Sequence, residues 1–373
     1  MSDFTIDELT VPASVESAEA ADFIQMSRVR NEIEALALGT HELAYEPAEL
    51  LPDFHDPYQP QRVLLARVDG TVVGCGGYEA PLEEGSVQAW LRVEVLPQFR
   101  CRGIGGTLYE RLVELAADDG RTTLQAELVH TDVGGRRLLA PTGFGSVPRG
   151  SAESRFLRSR GFRLEQVERV SRLALPLGSG AVVTHLAAAE AAAGADYRTV
   201  AWVGTAAWEG DRAQLWLTDL ARLHAGMSTD APSAGLDFPA EIWDAERVRT
   251  VEVLNRSSPR RMLHAAVEHV PSGRLVAFNE LSVPPDVRRG VEQQDTLVQR
   301  EHRGHRLGML VKVANLLQLQ ATHPGHPSVT TFNAEENRYM LTVNEALGFV
   351  PIGYAGGWKK TGQGRSRWQN GQK

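Results

Sequence analysis

The stretch VEVLPQFRCRGIGGTLYERLVELAADDG (93–120) decides the fold of this chain. It reads as an apolar strand, a turn rich in arginine and glycine, and a helix with Leu108 and Leu112 at helical spacing. Glycines such as Gly103 and Gly105 let the backbone of this turn approach a ligand closely. The helix that follows adds free N–H groups and the positive end of its dipole. The turn therefore predicts an anion site.

Two arginines in the same turn indicate what kind of anion it holds. Arg100 and Arg102 lie just before the first glycine, Gly103, and supply formal positive charge. Charge-assisted hydrogen bonds from arginine suit phosphate oxygens, so a diphosphate is the predicted guest. The alternative interpretation is a tight strand-to-helix turn that binds nothing, since short motifs of this kind often occur by chance.

The composition of the whole chain limits its class. Its 373 residues predict two or three domains at about 150 residues each. Hydrophobic residues make up 42% and charged residues 23%, which is an ordinary globular mixture and excludes global disorder. Cys75 and Cys101 are the two cysteines, too few for a disulfide scaffold. The start MSDFTIDELTVP is unlike a signal peptide, and no apolar run reaches the roughly 18 residues of a membrane span.

The net charge of −8 argues against an extended nucleic-acid surface, and no apolar run could span a membrane, so we expect neither partner. The sequence thus predicts a cytoplasmic protein whose positive charge is local.

The order of predicted elements occurs twice along the chain. A Gly- and Ala-rich stretch (175–198) separates two halves in which strands and helices follow in the same order. Aligning Arg100 with Arg303 also places Gly105 on Gly308. This pattern indicates an internal duplication.

We therefore predict an N-terminal domain (1–180), a linker (181–196) that forms a short Ala-rich helix in its middle, and a C-terminal domain (197–373). Each half contains a predicted hairpin as well as strands that alternate with helices, so the fold class is α/β with a mixed sheet. In the second half, residues 211–227 and 239–255 are predicted helices.

The quoted turn resembles the acetyl-CoA signature of the GCN5-related N-acetyltransferases (GNAT family), Gln/Arg-x-x-Gly-x-Gly/Ala between a bulged strand and a helix. Here the signature reads Arg100-x-x-Gly103-x-Gly105, and a downstream helix ends in Arg160-Gly161-Phe162. The resemblance implies two tandem GNAT-like acyl-CoA N-acyltransferase domains, an arrangement shared with mycothiol synthase. Each would be a mostly antiparallel sheet with one splayed strand pair, flanked by helices.

The second half carries the signature in altered form. Arg306 replaces the middle glycine, and it could crowd the cradle or add a phosphate contact. The later helix resembles the family's pattern through Asn337, Met340 and Asn344, followed by Gly348-Phe349. Their spacing predicts that the first three lie on one helix face. A polar helix face without a function is the alternative.

The resemblance implies that acetyl-CoA, as the co-substrate, contacts both signatures, the strand residues before them and two asparagines. Backbone N–H groups at Val95 and Val298 would stabilise the oxyanion of the thioester carbonyl. The implied residues are Val95, Arg100, Cys101, Arg102, Gly103, Ile104, Gly105, Gly106, Thr107, Val298, Arg303, Gly304, His305, Arg306, Leu307, Gly308, Asn333 and Asn337.

In this family an amine usually attacks the thioester directly, so a base must take its proton. Asp295 and Glu280 are our leading candidates, because both lie in otherwise apolar strand runs where a lone carboxylate is costly. Glu292 is a further candidate in the second half, and Glu79 and Glu94 are the candidates in the first half. The alternative for any of them is a solvent-facing position on an alternating strand.

The tyrosine that usually protonates the departing thiolate is missing from both halves. Its position falls on Leu157 in the first half and on Asn344 in the second. Asn344 can donate a hydrogen bond but no proton, and Tyr339 and Tyr354 are nearby substitutes in the sequence. We therefore predict that the first half binds acetyl-CoA and that the second half is the catalyst.

We expect no metal, because the pairs His302/His305 and His323/His326 lie in the phosphate signature and in a loop. The predicted function is acetyl transfer from acetyl-CoA to a primary amine of a small molecule. The alternatives are a non-catalytic acetyl-CoA sensor and a protein N-acetyltransferase. The chain is expected to be a monomer or a homodimer.

Overall fold

The computed structural model describes residues 3–205 and 210–362. Within these ranges twelve strands form one continuous sheet, and a separate two-stranded hairpin lies beside it. Helices pack on both faces of the large sheet. The fold class expected from the sequence, a mixed sheet flanked by helices, is confirmed.

The first half contains eight strands and four helices among the described residues. In chain order they are β1 (Thr5–Glu8), α1 (Ala21–Leu38), α2 (Pro47–Leu50), β2 (Gln61–Val68), β3 (Thr71–Glu79), β4 (Gln88–Val95), α3 (Ile104–Asp118), β5 (Thr123–Val129), the hairpin β6 (Arg137–Leu139) and β7 (Ser146–Pro148), α4 (Ala152–Ser159) and β8 (Arg163–Ala174). Asp69 and Gly70 join β2 to β3 with positive φ angles of 48° and 77°, as a two-residue hairpin turn requires.

The second half repeats this order after a connecting helix. Its elements are α5 (Ser179–Ala193), β9 (Tyr197–Val203), α6 (Gly210–Asp230), α7 (Ala245–Ser257), β10 (Arg261–His269), β11 (Arg274–Val283), β12 (Val291–Val298), α8 (Leu307–Thr322), β13 (Ser328–Ala334), α9 (Arg338–Leu347) and β14 (Val350–Thr361).

The prediction of a helix over 239–255 is wrong at its beginning. Helix α7 begins at Ala245, because Asp244 has an extended backbone and its side chain accepts a hydrogen bond from the Arg247 N–H at 2.8 Å. An aspartate in this position caps the first turn of a helix and so fixes where it begins. The residues just before it form an irregular segment.

The last strand of each half pairs with the other half. The order of the large sheet is β1-β2-β3-β4-β5-β14-β8-β13-β12-β11-β10-β9. Strand β14 of the second half therefore lies between β5 and β8 of the first, and β8 lies between β14 and β13. We keep 1–180 and 197–373 as the proposed division of the chain, but the two halves share the centre of one sheet.

The segment proposed as a linker forms most of helix α5. Val182, Ala189 and Ala193 on this helix are buried in the hydrophobic core that α8 and α9 complete. The small alanines allow a helix to pack closely against its neighbours. Helix α5 thus contributes to the core of the second half.

Candidate functional site: two anion cradles and an acid–base cluster

The strands that precede and follow the first signature diverge. Parallel strands β4 and β5 pair from Gln88/Thr123 to Trp90/Gln125 and then separate. In the second half β12 and β13 pair only at Val291/Val329 and Glu292/Thr330. Parallel pairs that open in this way leave backbone groups free along the gap. Each half therefore has the splayed pair that the resemblance implies.

The first signature forms a cradle at the N-terminus of α3. Cys101 and Gly103 have positive φ angles of 61° and 88°, and the helix begins at Ile104. A Cβ built on Gly103 would meet nothing within 4 Å, so the backbone conformation rather than crowding favours glycine there. Alternating backbone conformations of this kind turn successive N–H groups toward one point, which suits an anion.

The positive charges of Arg100 and Arg102 in the first cradle are available to an anionic ligand. Arg100 Nε donates to the Val95 carbonyl at 2.9 Å, and Arg102 donates to the Gln98 carbonyl at 3.1 Å. Neither guanidinium has a carboxylate partner in the described ranges. The Ile104 side chain is buried, so only its backbone can face a ligand. Thr107 turns its hydroxyl back to the Gly103 carbonyl at 3.4 Å.

Two further glycines keep the first turn of α3 clear. A Cβ on Gly105 would lie 3.3 Å from the Phe156 ring, and one on Gly106 would lie 3.3 Å from the Arg160 guanidinium. These contacts are tight, so small residues are needed there. Glycines, free helix N–H groups and two uncompensated arginines together fit the diphosphate of acetyl-CoA.

The second cradle has the same backbone with different charges. Gly304 and Arg306 have positive φ angles of 89° and 56°, and α8 begins at Leu307, whose side chain is buried. Arg306 therefore adopts the conformation of Gly103, with its side chain exposed. Because the equivalent Cβ position in the first half is open, Arg306 has room beside the cradle.

Asp230 neutralises much of the second cradle. This last residue of α6 accepts hydrogen bonds from Arg300 Nε and Arg303 Nη2, each at 2.8 Å. Arg303 Nε also donates to the Val298 carbonyl at 3.2 Å, matching Arg100 and Val95. His305 is exposed, and its ring lies 5.1 Å from that of Tyr197. The second cradle is therefore less positive than the first.

A β-bulge brings the two leading carboxylates together. The pairing of β11 with β12 shifts between Asn279/Thr296 and Leu281/Gln293, which gives β12 one extra residue opposite Glu280. The shift lets Asp295 and Glu280 point to the same face. The resemblance implies such a bulge before each signature, but the pairing of β4 with β3 in the first half is regular.

A histidine that the sequence analysis did not select joins these carboxylates. His224 of α6 lies with Nε2 3.7 Å from Glu280 Oε1 and Nδ1 3.8 Å from Asp295 Oδ2. His264 Nδ1 lies 3.0 Å from the same Glu280 oxygen. The Trp243 ring stacks on His224 at 4.5 Å between centroids, which fixes the imidazole plane. We call His224, His264, Glu280 and Asp295 the acid–base cluster.

Charges within the acid–base cluster support one another. Burial alone raises the pKa of Glu280, but His224 and His264 outweigh burial and hold that pKa below its usual value. Burial lowers the pKa of His224, whereas Glu280 and Asp295 outweigh it, so the pKa of His224 is raised. Both shifts favour the charged forms, a carboxylate beside an imidazolium. Asp295 keeps 44% of its side chain exposed and is the member that a substrate can reach.

Donor atoms of His224, Glu280 and Asp295 lie within 4.8 Å of one another, so these residues could also hold a cation. The raised pKa of His224 favours its protonated form, which cannot bind a metal. That the chain uses no metal stays a prediction. Of the histidine pairs considered in the sequence, His302 lies 3.0 Å from the Tyr197 hydroxyl and His326 lies 2.9 Å from the Arg289 carbonyl.

Asn344 lies at the centre of a buried polar chain in the second half. Its Nδ2 donates to Asn333 Oδ1 at 2.6 Å, and Lys312 Nζ donates to its Oδ1 at 2.8 Å. Lys312 is fully buried in α8, and burial lowers the pKa of its amine to about 7. The sequence analysis missed Lys312, although a single lysine in the apolar run LGMLVKVANLL was a visible signal.

Asn337 and Tyr339 lie elsewhere than the sequence spacing suggested. Asn337 precedes α9 as its N-cap and accepts from the Met340 N–H at 3.2 Å, instead of continuing the helix face. Tyr339 is 60% exposed, and a Cβ on Gly308 would lie 3.9 Å from its ring. Tyr339 therefore borders the second cradle, whereas Tyr354 lies on β14 under the Arg137 guanidinium.

In the first half, the position of the missing tyrosine is filled differently. Leu157 is buried, and Tyr109 of α3 packs against the same helix through Phe156. Burial raises the pKa of Tyr109 to about 12, and Lys360 Nζ donates to its hydroxyl at 3.0 Å. Tyr109 occupies the place in α3 that Lys312 occupies in α8. Each half thus places a titratable group there from the helix after its cradle.

Comparisons with known proteins agree with this geometry. Residues 30–144 match the model of the acetyltransferase (GNAT) family. A tandem GNAT protein from the clavulanic acid biosynthesis pathway superposes with a TM-score of 0.66 at 23% identity, over 96% of this chain and 98% of that one. A GCN5-related N-acetyltransferase from Sphaerobacter thermophilus superposes with a TM-score of 0.56 at 15% identity, over 97% of this chain and 98% of that one.

A glucosamine N-acetyltransferase region of a fungal multi-domain β-N-acetylglucosaminidase also superposes, with a TM-score of 0.56 and 14% identity, over 96% of this chain and 38% of that one. No curated protein sequence matches the chain. The fold that these comparisons show is that of the GNAT N-acetyltransferases. Residues 30–144 thus match the GNAT family, and the whole chain has the fold of a tandem GNAT protein, as the sequence predicted.

The family model covers the half with the intact glycine signature, whereas the second half is assigned by fold. No helix in the described ranges is both long and apolar enough to span a bilayer.

Proposed function

We propose that this chain transfers the acetyl group of acetyl-CoA to a primary amine of a small molecule, by direct attack in a ternary complex. The observation that carries the proposal is the acid–base cluster beside the bulged strand β12, which leads into the second cradle. Acyl transfer to an amine needs a proton acceptor within reach of the attacking nitrogen and donors for the carbonyl oxygen. We also propose that the protein acts in the cytoplasm as a monomer or homodimer.

Cradle residues supply the binding of acetyl-CoA in this proposal. Backbone N–H groups at the start of α3, with Arg100 and Arg102, hold the diphosphate in the first half. Arg303, Arg306 and the start of α8 do so in the second. The backbone of Val95 and of Val298 lies beside the gap between the splayed strands, where a thioester carbonyl would find its donor.

Asp295 is the proposed proton acceptor of the second half. The nitrogen of the amine forms a bond to the acetyl carbon, the carbon–sulfur bond breaks, and the nitrogen loses a proton to Asp295. Glu280 and His224 position this carboxylate, because His224 lies between them at 3.7 and 3.8 Å. The positive charge of the His224 imidazolium also offsets the repulsion between the carboxylates of Glu280 and Asp295.

Lys312 is the proposed source of the proton that the thiolate takes. Asn344 occupies the position of the family's tyrosine but is no acid, and Lys312 donates to it at 2.8 Å. An amine with a pKa of about 7 can both give and regain a proton near neutral pH. Tyr339, exposed at the cradle, is then a contact for the co-substrate rather than an acid.

The experiment that tests this function measures binding and thiol release. Isothermal titration of the full chain with acetyl-CoA should show binding below high micromolar concentration, and a panel of primary amines should release CoA thiol. Asp295→Asn should lower kcat by about 10²-fold or more. A matched control is Glu292→Gln, which removes an acid of the same strand outside the cluster. No binding of acetyl-CoA, or equal kcat in wild type and Asp295→Asn, would overturn the proposal.

A non-catalytic acetyl-CoA sensor is the second candidate. The position of Asp230 favours this second candidate. Its carboxylate accepts hydrogen bonds from Arg300 and Arg303 of the second cradle, the one nearest to the acid–base cluster, and so competes with acetyl-CoA there. Such a protein would bind acetyl-CoA in the first half without releasing thiol for any amine of the panel. The same titration and thiol assay therefore separate the two functions.

A further inference from the structure

Two buried asparagines lie beside the β-bulge of the second half. Asn279 of β11 and Asn315 of α8 are both fully buried, and Asn315 lies within the apolar run VANLL (313–317). Burying an amide in such surroundings is costly unless hydrogen bonds compensate for the lost water. The hydrogen bonds of these two side chains therefore show what they contribute to the fold.

The amide of Asn315 fixes the orientation of Asn279. Asn315 Nδ2 donates to Asn279 Oδ1 at 2.9 Å, and it also donates to the backbone carbonyls of Asn279 and Leu263 at 3.1 and 3.0 Å. Because Asn279 Oδ1 accepts the first of these bonds, Asn279 Nδ2 points the other way, toward β12. Asn315 Oδ1 accepts no hydrogen bond within the described ranges, so this side chain serves there as a donor.

The side chain of Asn279 extends this contact to the bulge. Asn279 Nδ2 donates to Thr296 Oγ1 at 2.8 Å and lies 3.5 Å from the Asp295 carbonyl oxygen. The pairing of β11 with β12 shifts immediately after Asn279/Thr296, so these residues form the last regular pair before the extra residue. A bulge interrupts the backbone hydrogen bonds between two strands. Asn279 thus supplies a side-chain bond where the backbone bonds are interrupted.

The first half has the same contact in apolar form. The alignment of the two signatures gives each of the three positions a counterpart: Gly76 for Asn279, Leu112 for Asn315 and Val93 for Thr296. A Cβ on Gly76 would lie 3.1 Å from Leu112 Cδ1, so these two residues also meet between helix and strand. Gly76 pairs with Val93 in a regular ladder. The half with the amides is therefore the half with the bulge.

The bulge lies at the acid–base cluster. Asp295 is one of the two residues of β12 that oppose Glu280, and its carboxylate lies 3.8 Å from His224 Nδ1. In the first half the counterpart of Asp295 is Arg92, which has no group that accepts a proton. A base needs a fixed backbone, since a displacement of about 1 Å can lower a rate by about 10²-fold.

From this chain of amides and its apolar counterpart, we infer that Asn279 and Asn315 are positioning residues, which hold the bulge of β12 so that Asp295 stays beside His224 and within reach of the amine. The chain of amides also joins α8, the helix of the second cradle, to the strand that carries the base. The inference rests on the proposed function in one respect, the role of Asp295 as proton acceptor. It adds a physical reason for proposing that the second half is the catalyst.

Transferring the residues of the first half into the second tests this inference. The double variant Asn279→Gly/Asn315→Leu builds the contact that Gly76 and Leu112 already make, so neither amide is left buried without its partner. We expect kcat for thiol release to fall by about 10²-fold. The KM for acetyl-CoA should stay within about threefold of the wild-type value, because the double variant leaves the cradle unchanged.

The pKa of His224 gives a readout that does not depend on activity. Burial lowers this pKa, whereas Glu280 and Asp295 outweigh burial and raise it. The other titratable groups that face these rings are Glu241, in the segment before α7, and His264 of β10, which contacts Glu280. If the bulge relaxes and Asp295 moves away, the pKa of His224 should fall. NMR titration of the histidine ring protons measures this pKa, and His224→Gln assigns the resonance.

Two further variants keep the test decisive if the double variant does not fold. Thr296→Val installs the residue of the first half at the bulge and leaves both buried amides in place. Since it removes one hydrogen bond, it should lower kcat by about fivefold and also lower the pKa of His224. Asn31→Leu is the matched control, because this asparagine of α1 exchanges two hydrogen bonds with the Tyr45 backbone, at 2.7 and 3.0 Å. It should lower stability without changing kcat or the pKa of His224.

These measurements separate the inference from the proposed function. If the wild type releases no thiol with any amine, the proposed function fails, while a lower pKa of His224 in the variants still supports the hold on the bulge. If the wild type is active and the variants keep both its kcat and the pKa of His224, the positioning role is overturned and the proposed function stands. A change in kcat or in this pKa without the other would also overturn the positioning role, because the bulge would then be either intact or unnecessary for the reaction.

Discussion

Replacing Lys312 by methionine should stabilise the protein, and the gain should depend on pH in a specific way. The side chain is fully buried, and one hydrogen bond, to Asn344, is its only contact with a polar partner in the described ranges. Methionine has a similar length and no charge, so it fills the same space. The change tests directly whether burial lowers the pKa of this lysine to near 7.

The magnitude follows from the pKa. Burial lowers the pKa of Lys312 from 10.5 to about 7. At about 1.4 kcal/mol per unit, the protonated amine costs up to about 5 kcal/mol of stability below pH 7. Methionine removes this cost but leaves the Asn344 oxygen without its donor, which costs about 1–3 kcal/mol. We expect Lys312→Met to raise the free energy of unfolding by about 2–4 kcal/mol at pH 7.

The pH dependence gives the sharper test. Between pH 7 and 10.5 the unfolded chain keeps a proton on this lysine that the folded chain has lost, so the wild type gains stability as pH rises. The variant lacks this gain, and the difference between the two proteins should shrink by about 1.4 kcal/mol per pH unit. Urea unfolding at pH 7, 8 and 9, followed by circular dichroism, measures it.

Lys359→Met is the matched control for this experiment. Its amine donates to Asp237 at 2.7 Å, so its loss should change stability by a similar amount at each pH. A difference between Lys312→Met and wild type that stays constant from pH 7 to 9 would refute the reasoning. Lys312 would then keep its charge in the folded protein.

Three further predictions follow from the site and the sheet. Arg306→Gly should raise the free energy of unfolding by about 1 kcal/mol in urea, because glycine adopts the positive φ of 56° without strain. Dialysis against a chelator should leave thiol release by the acetyl transfer reaction unchanged, since the imidazolium of His224 neutralises the cluster without a metal. The halves 1–180 and 197–373, expressed separately, should show no cooperative unfolding on their own but should regain it when mixed, because β8 and β14 each complete the sheet of the other half.

The sequence predicted the parts of the fold that local chemistry determines. Gly103 and the arginines around it predicted a cradle, and the backbone there has the alternating φ angles that such a cradle needs. The repeated element order predicted the tandem architecture, which the comparisons confirm. Both depend on residues close together in the chain, so a pattern of a few positions was sufficient.

The exchange of β8 and β14 could not be predicted in this way. In both strands apolar and polar residues alternate, as in a half-buried strand. This pattern predicts that the segment joins a sheet but does not predict which strand it pairs with. The same limit applies to His224, an ordinary residue of a polar helix that meets Glu280 only through tertiary packing. Lys312 is different, because a lysine in an apolar run signals a buried charge even without a structure.

The two cradles differ in whether a carboxylate competes with a bound diphosphate for the arginines. This difference should determine how many molecules of acetyl-CoA the chain binds. In the first half Arg100 has no carboxylate partner among the described residues, whereas Asp230 holds Arg300 and Arg303 in the second. A diphosphate must displace that carboxylate before it gains the arginines. Partly exposed ion pairs of this kind are worth about 0.2–1 kcal/mol each.

Asp230→Asn should therefore strengthen acetyl-CoA binding at the second cradle by roughly fivefold, about 1 kcal/mol. The effect should fall as salt concentration rises, because the guanidinium groups of Arg300 and Arg303 are largely exposed. Calorimetric titration should show tight binding near one equivalent for the wild type and a stronger second event for the variant. Asp286→Asn, which breaks an exposed pair with Arg288 in the loop before β12, is the control and should leave both events unchanged. If Asp230→Asn weakens the second event, the carboxylate orients the arginines for the diphosphate instead of competing with it.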